Sequence, residues 1–148
     1  LGEATAMLGT LQNLRIHFLE EAQKSAQETD FSDIPAAWNL LWHMATTLWS
    51  LHFEQKCDLK TIEMSFRALT GYELSFTEGH HTKESPRMMA ERTRSYLGRD
   101  IDFLPHIKLN KSGKFLRVHY WADHTNQLIV VGHCGDHLDT HGRRRRKD

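Results

Sequence analysis

With 148 residues, 39% of them hydrophobic, and only three prolines and nine glycines, the chain can bury the core of one ordinary domain, which excludes disordered and fibrous classes. Its formal charge is zero but unevenly placed: residues 1–60 carry four Lys/Arg against eight Asp/Glu, leaving 15 against 11 for the rest. Two distant cysteines and the absence of a signal-like or membrane-spanning apolar run point to a reduced, cytoplasmic setting with no membrane partner.

Ala4, Met7, Leu8, Leu11, Leu14, Phe18, Leu19 and Ala22 recur at helical steps, so one amphipathic helix is predicted over residues 3–28. Asp33 as N-cap with Pro35 in the first turn opens a second helix, whose stripe runs from Trp38 through Leu41, Trp42, Ala45, Leu48 and Trp49 to Phe53. Tryptophans at this spacing belong to a core, and His17, His43 and His52 read as helix-surface or hydrogen-bonded core residues. Asp58 caps a third helix carrying Leu59, Ile62, Phe66 and Leu69, which Gly71 ends. After the turn-like residues 77–86, Ser85-Pro86 starts a fourth helix that reaches Leu97, with Gly98 beyond it and Arg92, Ser95 and Tyr96 within one of its turns.

Three strands follow, over residues 101–109, 115–121 and 127–134, separated by NKSGK and ADHTN. This is a β-meander. Alternation places His106 with Lys108 on one face of the first strand, and Arg117 with His119 on one face of the second. The third is apolar on both faces and delivers His133 at its end. A slip of one residue between the second and third strands would put His133 opposite Arg117 and His119, so register decides whether it joins them. The fold class expected is α+β: a helical region over 1–70, available for oligomerisation or regulation, packed on a small antiparallel meander in a core over 71–138, with a basic tail over 139–148.

The residue types on that meander suit cleavage of RNA without a metal. Such chemistry needs a base for the 2′-OH proton, cations for the phosphorane charge and an acid for the leaving oxygen, and it needs no cofactor. His106, Lys108, Arg117, His119 and His133 are the candidate catalytic residues; Lys83, Arg92, Arg94, Tyr96 and the tail Arg143, Arg144, Arg145 and Arg146 are candidates for holding nucleic acid. Two other classes remain open: a module that binds nucleic acid or protein without catalysis, and a zinc protein using Cys134, His137 and His141. No GxxxxGK[ST] phosphate loop and no GxGxxG turn is present.

HIKL, a basic loop and then FLRVHYWADHTNQLIVVGHCGDHL resemble the C-terminal meander of RelE-like toxins, within the barnase-, colicin- and RelE-like ribonucleases. Arg117 matches the central arginine of that pattern, Gly132 with His133 its closing Gly-His, and Lys108 the basic residue of the preceding strand. The resemblance covers about residues 86–138 and implies metal-independent cleavage of messenger or transfer RNA, in a toxin–antitoxin or phage-defence setting. It leaves the helical half unexplained. That half is expected to make a homodimer, to mask the basic half, or, since the chain opens on Leu1, to continue a larger N-terminal context.

Overall fold

A computed structural model describes residues 1–140. The fold is α+β: a five-stranded sheet in the order β1 (Ile16–Phe18), β7 (Leu128–Gly135), β6 (Lys114–Asp123), β5 (His106–Lys111), β2 (Glu73–Ser75), with the four longer helices on one face of it, and two short helices and a two-stranded hairpin on the other. The predicted meander is its centre, with β5 (His106–Lys111), β6 (Lys114–Asp123) and β7 (Leu128–Gly135) joined in antiparallel pairs. Two short strands complete the edges. β2 (Glu73–Ser75) runs antiparallel to β5, and β1 (Ile16–Phe18) runs parallel to β7, so the sheet is mixed and not purely antiparallel.

β1 corrects the long first helix. Residues 3–28 form α1 (Gly2–Leu11) and α2 (Glu20–Glu28) with the strand between them. Helical spacing misled because Met7, Leu11 and Leu14 are 59–81% exposed, while Ile16 and Phe18 bury as alternate residues of a strand beside Ile129 and Val131. The second helix begins as expected. Asp33 accepts the amide of Ala36 to cap α3 (Ile34–His43), which continues through two π-helical segments, Met44–Leu48 and Ser50–Glu54. α4 (Leu59–Thr70) has Asp58 on the amide of Thr61 and Gly71 left-handed at its end, as predicted.

The fourth helix is also corrected. A short α5 (His80–Lys83) precedes α6 (Pro86–Ala90), which stops before Arg92; β3 (Thr93–Tyr96) and β4 (Arg99–Asp102) then pair as a hairpin. Leu97 and Gly98 are its two turn residues, both at positive φ, so Gly98 serves a tight hairpin and not a helix end. Pro105, without an amide hydrogen, lies where the predicted 101–109 strand divides between this hairpin and β5.

The main core draws on both halves of the chain, from Leu8, Ala22, Leu40, Leu48 and Phe66 to Ile107, Val118, Tyr120 and Cys134. A smaller cluster of Leu19, Tyr96, Ile101, Phe103 and Val130 fixes the β3–β4 hairpin on the other face. No helix among the described residues is long and apolar enough to cross a membrane.

Candidate functional site

Strand pairing decides which side chains meet. His106 pairs with His119, Lys108 with Arg117, and on β7 His133 is opposite His119 and Gly135 opposite Arg117. A row of three histidines therefore adjoins a row of two cations. The His106 and His119 rings stack with centroids 4.9 Å apart, and His133 stands edge-on to His119 at 5.7 Å.

His133 reaches this face through a β-bulge. Tyr120 pairs with Val131 and His119 with His133, leaving Gly132 without a partner on β6. Simple alternation would have turned His133 to the helical face, where Val131 and Cys134 lie. Gly132 is suited to the bulge because the Phe103 ring packs where its Cβ would be, 2.7 Å away.

The cationic face is covered. None of His106, Arg117, His119 and His133 exceeds 8% exposure. Residues 78–92 and 136–140 close over them, leaving about 20 Å³ among Glu78, Arg92, His106, Arg117, His119, His137, Leu138 and Thr140. Arg92 donates from Nε to Glu78 Oε1 at 2.9 Å and from Nη1 to Met88 O at 2.8 Å, and that same Glu78 oxygen is 3.7 Å from His106 Nδ1. Arg117 Nη1 donates to Asn110 Oδ1 at 2.9 Å and to Leu116 O at 3.1 Å.

The loop between β4 and β5 sets the tautomers. His106 Nδ1 lies 2.9 Å from Leu104 O and His119 Nδ1 lies 2.9 Å from Phe103 O. A carbonyl only accepts, so each Nδ1 carries the proton, and in the neutral ring Nε2 is left as the acceptor. Burial keeps both rings neutral: desolvation pushes His119 well below the usual histidine value, with His106 and His133 adding to it, and desolvation also lowers His106. His133 Nε2 points at Asp136 O, 2.7 Å away.

The other predicted residues are scattered by the fold. Lys83 is exposed at the end of α5. Arg92 is buried in the cluster and not on a surface helix, because Glu78 draws it inward. Arg94 is half-buried, its Nε 3.1 Å from Gly132 O, and Tyr96 is buried with its hydroxyl donated to Asp123 at 2.8 Å. Neither Arg92 nor Tyr96 therefore offers a surface contact to nucleic acid. Arg143, Arg144, Arg145 and Arg146 lie outside the described residues.

The expected zinc set does not assemble either. Cys134 faces the helical core, where desolvation pushes its thiol up to about 12, whereas His137 is on the opposite face and His141 lies outside the described residues. The metal-type ligands that do come within 4.8 Å of one another are Glu78, His106 and His119. Arg92 already holds that carboxylate, and Lys108 and Arg117 act on His106 with the same sign. Three cations against one carboxylate favour an anion over a cation. Glu78 was missed because, in TEGHHTKESP, it is one acid in a polar turn; its role comes from a partner 14 residues away. No protein-family model matches the chain, and neither does any curated protein or solved structure.

Proposed function

We propose that the chain is a metal-independent endoribonuclease of RelE-like type, acting on RNA in the cytoplasm. The observation that carries this reading is the row of His106, His119 and His133 set in register beside Lys108 and Arg117. In the reaction, the RNA 2′ oxygen attacks phosphorus, the bond to the 5′ oxygen breaks, and a 2′,3′-cyclic phosphate and a 5′-hydroxyl result. His119, neutral with its Nδ1 proton held by Phe103 O, suits the base that takes the 2′-OH proton at Nε2. Arg117 and Lys108 stabilise the phosphorane charge, while His106 orients or exchanges the proton and His133 delivers one to the leaving oxygen.

A space of about 20 Å³ admits a water and not a phosphodiester, so RNA must displace the cover. Arg87 ties its two parts, with Nη1 3.0 Å from Asp139 Oδ2 and 3.6 Å from Glu91 Oε1. An antitoxin that holds this cover closed is the partner such a toxin would need.

The test is incubation of the protein with total RNA in excess EDTA, and separately with translating ribosomes in the magnesium buffer they require. His119→Asn keeps a donor for Phe103 O and removes Nε2; Arg117→Lys keeps the charge and loses the planar fork. Each is expected to reduce cleavage by about 10²–10³-fold with the fold retained by circular dichroism. Salt-sensitive RNA binding without scission in either substrate would assign a binding module instead, and cleavage of total RNA that EDTA abolishes would sink the metal-independent mechanism.

A further inference from the structure

The opposite face of the sheet carries a second, unrelated recess. Next to His119 in sequence, Tyr120 turns to the helical side, where its hydroxyl is 3.0 Å from His52 Nε2. Beside that pair opens a cavity of about 330 Å³ lined by His52, Phe53, Lys56, Cys57, His124 and Gln127. This is the low end of the range for small-molecule sites. His52 and Phe53 are buried and form its floor; Lys56, His124 and Gln127 are exposed and form its rim. The His124 ring stands edge-on to Phe53, with centroids 5.4 Å apart, and to His52 at 6.1 Å.

Three features distinguish the recess from a packing gap. Its floor is carried by the π-helical segment Ser50–Glu54, a geometry that is rare and concentrates at functional sites. The chain then leaves the helix with Lys56 at φ 51°, where glycine would be cheaper and would lack the ammonium. His52, only 4% exposed, has Nε2 committed to Tyr120 and no hydrogen-bond partner for Nδ1 among the described residues. Its ring is neutral at pH 7, since burial, helped by His124, pushes it down to about 4. A neutral imidazole nitrogen in an aromatic floor, below a rim with one ammonium and no carboxylate, matches a flat heterocycle that brings its own negative charge.

We propose that this recess binds a single nucleotide-sized ligand, a planar heteroaromatic ring bearing a phosphate or similar anion. The ring packs against Phe53 and His124, its edge hydrogen-bonds His52 Nδ1, and the anion meets the Lys56 ammonium. The site does not depend on the histidine row being catalytic.

Calorimetric titration of the full chain with the four nucleoside 5′-monophosphates, adenosine and ribose 5-phosphate tests this. At least one monophosphate is expected to bind saturably, with the two fragments about tenfold weaker or worse. Lys56→Gln should weaken the monophosphate about tenfold and leave adenosine unchanged, while His124→Ala should weaken both. Arg117→Lys should alter neither. Competition by a 5′-phosphorylated oligonucleotide would make an RNA end the source of the ligand; binding of the monophosphate alone would make it a free nucleotide. Absence of saturable binding at millimolar concentration, or an affinity that follows Arg117 and ignores Lys56 and His124, would overturn the proposal.

Discussion

The two faces of the central sheet are both buried, but by different means. On the helical face Ile107, Leu116, Val118, Ile129, Val131 and Cys134 pack against helices, and burial of apolar area suffices to stabilise them. On the other face, residues of the same strands present His106, Arg117, His119 and His133, all dry. Burying those groups costs free energy that only hydrogen bonds and opposite charge offset, and each has such a partner: a backbone carbonyl for each histidine, Asn110 for Arg117, Glu78 for Arg92. One face holds the fold together. The other spends stability to hold neutral imidazoles and fixed cations side by side, the arrangement on which the proposed phosphoryl chemistry would draw.

This contrast makes the polar face the more fragile of the two. Glu78→Gln leaves Arg92 buried without a counter-charge and should cost about 3–5 kcal/mol in denaturant unfolding, and the proposed RNA cleavage should be lost with it. Val118→Ala, on the helical face of the same strand, removes two buried methyl groups and should cost about 2–3 kcal/mol. Cleavage by the folded fraction should be unchanged in that variant, and an equal loss of activity would erase the division between the faces.

Acid should act on the buried histidines. His52 falls from the ordinary value of 6.5 to about 4, so below 6.5 the unfolded chain binds the proton that the folded chain refuses. Stability is therefore full above that pH and declines as pH falls toward 4; between pH 7 and 5 His52 alone should remove roughly 2 kcal/mol. His106 and His119 shift in the same direction and add to the loss. A midpoint in urea that is flat from pH 7 to 5 would show that these rings are not held neutral. The smallest effect concerns the cover: Arg87→Ala removes an exposed ion pair and should change stability by less than about 1 kcal/mol. Cleavage should rise severalfold as the cover opens more often, whereas a fall would place Arg87 on the substrate path.

Local signals carried the sequence reading as far as they reach. Asp33 with Pro35, Asp58 and Gly71 marked helix ends because a cap depends on residues three or four positions away, and the turns NKSGK and ADHTN marked the meander for the same reason. Alternation along β5 and β6 places His106 with Lys108 and Arg117 with His119 whatever strands they pair with. Tertiary structure decided the rest. β1 is a strand only because β7 is there to pair with it, and residues 93–102 are a hairpin only because Tyr96, Ile101 and Phe103 find Val130 beneath them. The bulge at Gly132, which brings His133 beside His119, lies in the pairing of β6 with β7, with the Phe103 ring filling the space a side chain there would need, and Arg92 is buried against Glu78. Periodicity and capping are properties of neighbours along the chain; the register of this site, its burial and its counter-charge belong to contacts between residues that the sequence keeps far apart.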